Sequence, residues 1–325
     1  MFDPRLHRRF LNFAGDAKFV EKFGDPFRPL NPECRVVQFD APLTPAQLRG
    51  AGAIMAGHPE VELYAYDKGS QDLDFLQYFK GLRRLHVALY WLTDIAGFAH
   101  VRDLEELTFG KTKAAFSLRF LERMPKLRQL FLVGHKKDLA SLQHLAALES
   151  LGLSGITLPD LSPLLPLARL RKLGLYLGST TNLSLLPRMA SLEELSLMRI
   201  SQLSDLAVLG EVTGLKSLKL DWMRNVTQLP SLARLTRLEN VELHQMKGIT
   251  DLTPIAAVPT LRRLVIGDMR HLTPDRFRCF LGHPRLEEIC AYTGKISLND
   301  AIVEMFPTIA HGEIPVGSAA PPPAG

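Results

Sequence analysis

The chain repeats one short pattern of hydrophobic and variable positions along most of its length. In each copy an apolar residue is followed by two variable residues, an apolar residue, one variable residue and a third apolar residue. The eleven copies read VELYAY at 61, LRRLHV at 82, LEELTF at 104, LRQLFL at 127, LESLGL at 148, LRKLGL at 170, LEELSL at 192, LKSLKL at 215, LENVEL at 238, LRRLVI at 261 and LEEICA at 286. Leucine fills 24 of these 33 apolar positions. A repeat every 21 to 25 residues predicts stacked structural units rather than an ordinary globular core.

The alternation inside each copy is typical of a short β-strand whose second and third apolar residues point inward. Because one such strand cannot bury its apolar side, the copies must stack, and each returns in the same direction. The sequence therefore predicts parallel strands with variable residues on a concave face, and short α or 3-10 turns on the convex return. In most returns an Asp or Asn precedes an apolar residue and can cap such a turn, at Asp72, Asp94, Asp138, Asp160, Asn182, Asp205 and Asp251.

The two ends of the chain depart from the repeat and are predicted to cap it. The expected organisation is an N-terminal cap over 1–60, eleven repeats over 61–293, a C-terminal cap over 294–310 and a disordered tail over 311–325.

The predicted caps contain specific elements. Residues 36–41 read as a degenerate twelfth strand, and Thr44 with Gln47 forms a capping box for a helix through Met55. Asn299 is predicted to cap a helix that runs to Phe306. Residues 1–30 are expected to pack on the N-terminal cap through Phe10, Phe13, Phe19 and Phe23.

The repeated pattern resembles the leucine-rich repeat family over roughly residues 61–293, with a spacing most similar to that of internalins and of a protein-phosphatase regulatory subunit. The resemblance implies an α/β fold, a leucine-rich repeat solenoid with a curved parallel sheet. The family usually has Asn at the ninth position of the repeat. This chain instead has Tyr90, Thr112, His135, Ile156, Gly178, Ile200, Met223, Met246 and Met269. We expect apolar packing at that corner in place of an Asn ladder.

The composition indicates which class of protein this is and where in the cell it is located. Hydrophobic residues make up 46% of the 325 residues and charged residues 22%, so the chain is not disordered by composition. No apolar run approaches the ~18 residues of a membrane span. Three cysteines are too few for a disulfide scaffold, and no secretory signal is visible at the N-terminus, so a cytoplasmic location is predicted.

The net charge of +5 does not fall on the predicted concave face. Positions 3, 5, 7 and 8 of each repeat should form that face. Its positive residues are Lys68, Arg84, Lys111, Lys172, Arg199, Lys219 and Arg263. Its negative residues are Asp67, Glu106, Glu194, Asp221, Glu242, Asp268 and Glu288. Because seven charges of each sign cancel, the face does not favour nucleic acid, which requires clustered positive charge. Mixed charge favours a protein partner.

Apolar residues on the same face cluster in consecutive repeats and predict a partner-binding patch. Its eight members are Tyr176, Leu177, Met198, Arg199, Asp221, Trp222, His244 and Gln245. Trp, Tyr and Arg often dominate the binding energy of interfaces, and exposed apolar patches mark contact sites. The alternative is that Trp222 and Met198 fold back onto the turn. Tyr90 and Trp91 form a weaker second candidate, for which a packing role is favoured.

Catalytic chemistry is not indicated. Asp221 and His244 occupy one column and can touch, as in an acid–base pair, but Ser196 and Cys290 each lie two repeats from His244, about 10 Å away. Paired zinc-ligand spacings and nucleotide-binding motifs are missing from the sequence, so no metal and no cofactor are predicted. About thirty residues follow the last copy, too few for the ubiquitin-ligase domain of some bacterial leucine-rich repeat proteins.

The pattern as a whole predicts a non-catalytic scaffold that binds a protein partner through its concave face. The resemblance suggests a regulator of an enzyme, an adaptor, or an inhibitor. One alternative is a cytoplasmic immunity protein that neutralises a toxin. Another is a nucleic-acid-binding solenoid. The sequence predicts no association with a membrane.

Overall fold

A computed structural model describes residues 10–13, 34–39, 41–66 and 69–312 of the chain. The chain divides into two compact units, Met1–Leu151 and Gly152–Gly325. In both units, parallel strands follow one another in chain order and alternate with short helical turns. Among the described residues, every helix is too short or too polar to span a lipid bilayer.

The first unit contains six complete strands. They are β1 (Phe10–Phe13), β2 (Val36–Phe39), β3 (Glu62–Ala65), β4 (Arg84–Val87), β5 (Glu106–Phe109) and β6 (Gln129–Val133). Strand β7 (Ser150–Ser154) spans the division between the units. Helix α1 (Pro45–Met55) follows β2, and the later returns are 3-10 turns at Asp74–Tyr78, Ala96–His100, Leu118–Arg123 and Leu139–His144.

The second unit continues the same alternation. Its strands are β8 (Lys172–Tyr176), β9 (Glu194–Met198), β10 (Ser217–Asp221), β11 (Asn240–His244), β12 (Arg263–Gly267) and β13 (Glu288–Tyr292). Its 3-10 turns are Ser162–Leu164, Leu186–Arg188, Ala207–Glu211 and Pro274–Phe280, and its α-helices are α2 (Thr253–Ala256) and α3 (Ile296–Met305).

The leucine ladder forms the core of each unit. In β9, Leu195 and Leu197 are almost completely buried, while Glu194 and Ser196 between them are partly exposed. Cross-strand register places ladder residues side by side, as with Leu195 beside Leu173 and Leu218. Burying one leucine stabilises a fold by roughly 1.5–3 kcal/mol, so repetition of the ladder supplies the main stabilising term.

The predicted register of the first repeat is wrong by one residue. The motif at 61 placed Tyr64 and Tyr66 inward, but Tyr64 is half-buried and Tyr66 is exposed. Leu63 and Ala65 are fully buried instead, and Leu63 pairs with Leu85 of β4. A shift of one residue exchanges the inward and outward sides of a strand. The sequence pattern did not reveal this shift, because the two tyrosines were counted as apolar residues.

The returns begin as predicted in most repeats. The side chains of Asp72, Asp94, Asp160, Asn182, Asp205 and Asp251 each accept a hydrogen bond from the backbone N–H two residues later. Asp138 is the exception, because its backbone is left-handed and its carboxylate accepts from Ser117 of the preceding return.

The corner that carries an Asn ladder in the family is filled by apolar side chains here, as expected. Ile156, Ile200, Met223, Met246 and Met269 are all buried. Tyr90 departs from this expectation, because its side chain is exposed.

The N-terminal cap agrees with the sequence where it is described. Thr44 and Gln47 form the predicted capping box, and α1 ends at Met55. β2 matches the predicted degenerate strand, whereas β1, which pairs with it in parallel, was not predicted. The side chains of Phe10 and Phe13, and all of Phe19 and Phe23, lie outside the described residues.

The predicted cap of the C-terminal helix is wrong. Helix α3 begins at Ile296, three residues before Asn299. The Asn299 side chain instead accepts hydrogen bonds from the backbone and hydroxyl of Thr293, which holds the turn before the helix. Residues 313–325, most of the predicted tail, lie outside the described residues, and the limits of the caps and of the repeat array stay predictions.

Candidate functional site

The eight predicted partner-binding residues form two adjacent columns at the ends of four strands in the second unit. Tyr176, Met198, Asp221 and His244 are register partners at the last positions of β8 to β11. Each is followed by a member of the second column, Leu177, Arg199, Trp222 or Gln245. We call these eight residues the strand-end surface.

The second column has an unusual backbone. Leu177, Arg199, Trp222 and Gln245 all have left-handed backbones, with φ between 50° and 56°. Glycine occupies the equivalent place in the preceding repeat, at Gly155 with φ 64°, and Asp268 continues the column with φ 49°. The left-handed turn is therefore a regular feature of these repeats and not an isolated distortion.

A hydrogen bond between repeats maintains each left-handed turn. The Leu177 N–H donates to the Met198 carbonyl, and the Trp222 N–H donates to the His244 carbonyl, both at 2.9 Å. Arg199 and Gln245 repeat the contact with the next strand along. The residue that follows the turn then enters the core, as Ile200, Met223 and Met246 show. The turn thus places one residue outside the core just before the chain re-enters it.

Two arginines lie against the ring of Trp222. The guanidinium carbon of Arg199 is 4.1 Å from the centre of the indole ring, and that of Arg224 is 5.5 Å from it. Such cation–π contacts contribute about 0.5–1 kcal/mol each at exposed sites. The ring is half-buried, so it is neither fully exposed nor folded into the core.

The other apolar members of the surface differ in exposure. Leu177 is 38% exposed, whereas Met198 is only 8% exposed and contributes little to the outer surface. Tyr176 lies back over Gly174, where an added Cβ would be 2.2 Å from the Tyr176 hydroxyl oxygen. Burial raises the pKa of Tyr176, against the opposing effect of its hydrogen bond with Ser196.

A half-buried ionic cluster borders the aromatic part of the surface. His244 lies over Gly267, and its Nε2 is 3.7 Å from Glu242 Oε2, too far for a hydrogen bond. His244 and Lys219 hold the pKa of Glu242 at about 2, although burial opposes the shift. Burial raises the pKa of Asp221, despite the nearby charges of His244 and Lys219. The two carboxyl groups beside His244 are therefore shifted in opposite directions.

Charges on the strand face of the second unit are mostly paired between neighbouring strands. Lys172 contacts Glu194 at 2.9 Å, Lys219 contacts Glu242 at 3.3 Å, and Arg263 contacts Glu288 at 2.7 Å. This pairing agrees with the charge balance expected from the sequence.

The positions of these residues do not support the hypothesis of an acid–base catalytic site. Asp221 and His244 are register partners, as expected. Ser196 lies on β9, two strands from His244. Burial raises the pKa of the Cys290 thiol to about 11, so it is protonated at neutral pH. Within the described part of the chain, no three His, Cys, Asp or Glu side chains converge to hold a metal ion.

The second candidate from the sequence, Tyr90 with Trp91, is exposed rather than packed into a turn. The two side chains are 42% and 45% exposed, and their rings meet at 83°. The Lys113 ammonium lies 4.6 Å from the centre of the Trp91 ring. Sequence reasoning missed Lys113 as a partner of Trp91, although both are the tenth residue of consecutive repeats. It also missed Arg224, which follows Trp222 by two residues in the same repeat.

Comparison with known proteins shows the fold. No protein-family model and no curated protein matches the chain. An internalin (inlF) of Listeria monocytogenes matches with a TM-score of 0.53 and 17% identity over 91% of this chain and 85% of that one. Internalin C2 of the same organism has 24% identity and a TM-score of 0.42 over 69% and 84% of the two chains. A leucine-rich repeat protein of Leptospira interrogans has 16% identity and a TM-score of 0.46 over 94% and 90%. Together with the parallel strands and short turns, the first of these matches shows that the chain has the leucine-rich repeat fold.

Proposed function

We propose that this chain is a non-catalytic scaffold that binds a protein partner through the strand-end surface. The observation that carries the proposal is the left-handed backbone of Leu177, Arg199, Trp222 and Gln245 in four consecutive repeats. Glycine adopts this conformation without strain, as it does at Gly155. The chain nevertheless carries large side chains at these four places.

The energetic cost of these side chains supports a role outside folding. A left-handed conformation costs an L-residue roughly 1–2 kcal/mol. Residues held in such conformations cluster at binding sites, where other parts of the fold offset the strain. Leu177 and Arg199 are exposed, so burial of these side chains does not explain why they are kept.

The chemistry of the surface suits a folded protein with mixed charge. Trp222 and Tyr176 are rigid aromatic groups of the kind that anchor interfaces, and Arg199 adds a planar donor beside the indole ring. Asp221 and Gln245 provide acceptors and donors for a polar rim. Binding here would block or position the partner, as a regulator, adaptor or inhibitor does. An immunity protein that neutralises a toxin would be one such inhibitor. We also propose that the protein acts in the cytoplasm.

The test is a quantitative comparison of captured partners. The chain, carrying an affinity tag, is used to capture proteins from its native cell, and the eluates of wild type and Trp222→Ala/Tyr176→Ala are compared by mass spectrometry. Truncating two interface anchors should cost about 2 kcal/mol or more, which is roughly a thirtyfold loss of affinity for a direct partner. Circular dichroism should stay unchanged.

A matched control removes exposed apolar side chains away from the surface. Leu281 and Ile296 are more exposed than either anchor, and the Leu281→Ala/Ile296→Ala variant should capture the partner as wild type does. If the anchor variant and the control retain every captured protein equally, the strand-end surface is not the binding site.

A further inference from the structure

A second surface, in the first unit, combines aromatic and positively charged side chains. Loops that follow β4, β5 and β6 bring them to one edge of the strands. We call the set the lysine edge, and its members are Tyr90, Trp91, Lys111, Lys113, Lys136 and Lys137. The four lysines are exposed.

Contacts between the loops hold the lysine edge together. The Lys113 N–H donates to the Tyr90 carbonyl at 2.7 Å, and the Lys113 side chain covers one part of the Trp91 ring. Lys111 lies against the next loop, because a Cβ added at Gly134 would be 3.8 Å from its Cγ. The Lys137 carbonyl accepts from Leu118 of the return after β5.

The lysines of this edge lack the acidic partners that some other cations of the same unit have among the described residues. Among the described residues, no carboxylate lies within ion-pair distance of the four ammonium groups, whereas Lys126 contacts Asp103 at 2.7 Å and Arg84 contacts Glu106 at 2.9 Å. Asp138, next to Lys137 in the chain, is engaged by Arg119 and Ser117. Among the residues that the structure describes, the lysine edge therefore presents four positive charges without an ion-pair partner.

An open cavity of about 600 Å³ adjoins the charged side chains. Its lining combines the apolar Trp91, Leu92 and Ala114 with the polar Gln71, Thr93 and Lys113. A cavity of this size accepts one large side chain or a few smaller ones, and the three apolar residues form the wall that an apolar side chain would contact. Of the four lysines, Lys113 lines the cavity, so an apolar group inside it would lie beside a positive charge.

We propose that the lysine edge binds an acidic segment of a polypeptide, with an apolar side chain against Trp91 and carboxylates on the lysines. This site is separate from the strand-end surface and does not depend on it. The alternative anion is a single-stranded nucleic acid, which binds through base stacking on open aromatic faces. Lys113 lies over the Trp91 ring and Tyr90 meets it almost at a right angle, so base stacking is limited to the part of the ring that stays exposed.

The test uses defined probes and fluorescence anisotropy at low salt. The first probe is a labelled peptide of about twelve residues with glutamates around a central Leu-Leu pair. The second probe is the same peptide with every Glu replaced by Gln. The third probe is an oligothymidine of similar length. The Glu peptide should bind more tightly than both other probes. Lys111→Gln/Lys113→Gln should weaken it about tenfold, since exposed charges act additively at low salt.

A charge-matched control distinguishes this edge from net charge. Lys80→Gln/Arg102→Gln removes two positive charges from the returns of the same unit and should leave the affinity within about twofold. In a Trp222→Phe background, Trp91 is the remaining tryptophan, and its emission should change when the Glu peptide binds.

Three results would overturn the proposal: no binding of the Glu peptide below about 1 mM, equal loss in the control variant, or tighter binding of oligothymidine. The last would assign the edge to nucleic acid. None of these outcomes bears on the strand-end surface, because its variants leave all four lysines in place.

Discussion

The repeat that contains β4 and the repeat that contains β10 have the same pattern of ladder residues, but after the strand the chain returns to the core at different points. After Val87, the last ladder residue of β4, the chain re-enters the core two residues later at Leu89, and Tyr90 and Trp91 follow on the outside. After Leu220 of β10, re-entry comes three residues later at Met223, and Trp222 is outside before it. The additional residue is the left-handed one.

The side of the buried corner that each tryptophan occupies follows from its own position in the repeat, since Trp222 directly precedes Met223 and Trp91 comes two residues after Leu89. In the β4 repeat the exposed aromatics follow the corner and join the lysines of the next loops. In the β10 repeat the aromatic precedes the corner and joins the ends of the strands. The two tryptophans, at the tenth and the eighth position of the repeat pattern, therefore belong to chemically different surfaces, each within its own unit.

The largest expected effect comes from the corner residues. Leu89→Ala and Met223→Ala each remove a fully buried side chain and should lower the free energy of unfolding by about 2–5 kcal/mol. Trp91→Ala and Trp222→Ala should cost about 1 kcal/mol, because both rings lie outside the core and lose mainly cation–π contacts. Urea denaturation followed by circular dichroism measures all four.

An equal loss of unfolding free energy in Trp222→Ala and Met223→Ala would contradict the conclusion that Trp222 lies outside the core. That result would make Trp222 a packing residue of the corner, which is the alternative that the sequence left open.

A smaller effect with the opposite sign is expected at the left-handed turn. Leu177→Gly should raise the free energy of unfolding by about 0.5–1 kcal/mol, because relief of the left-handed strain exceeds the entropy cost of glycine. Ala88→Gly should lower it by a similar amount, since Ala88 is not left-handed. Equal changes in the two variants would show that the turn is not strained. Loss of partner capture by the more stable Leu177→Gly variant would support the proposed function.

The smallest effect is a pH dependence specific to the second unit. The pKa of Glu242 is lowered to about 2, so its carboxylate stabilises the fold above the ordinary pKa of 4.5, and this contribution is lost as the pH falls through 2. The pKa of Asp221 is raised, so its ionised form destabilises the fold as the pH rises above 3.8. At pH 7, Glu242→Gln should lower the free energy of unfolding and Asp221→Asn should raise it, each by less than about 1 kcal/mol after solvent screening.

Unfolding curves at pH 7 and pH 3 check this pair. Shifts of the same sign for both variants at pH 7 would contradict the opposite directions of the two pKa values.

Much of the fold can be predicted from the sequence. Two residues, one predicted correctly and one wrongly, show how far such prediction extends. Leu195 and its equivalents were placed inside because a period-two ladder repeated every 22 or so residues must be buried to fold at all. Tyr64 was misplaced because a tyrosine fits either side of a strand, and only pairing with β4 reveals the register. The columns of the strand-end surface follow from the same counting that predicted its members.

Residue types at short, regular spacing were enough to predict the strands, their parallel order, the apolar corner and the capped returns. The side chains that lie together outside the core could be identified only once the chain was folded. The left-handed turn at Trp222, the arginines against its ring, and the lysine over Trp91 all depend on loop geometry between repeats. Residues about 22 positions apart become neighbours there, and the left-handed residue before Met223 delays the return of the chain to the core by one residue.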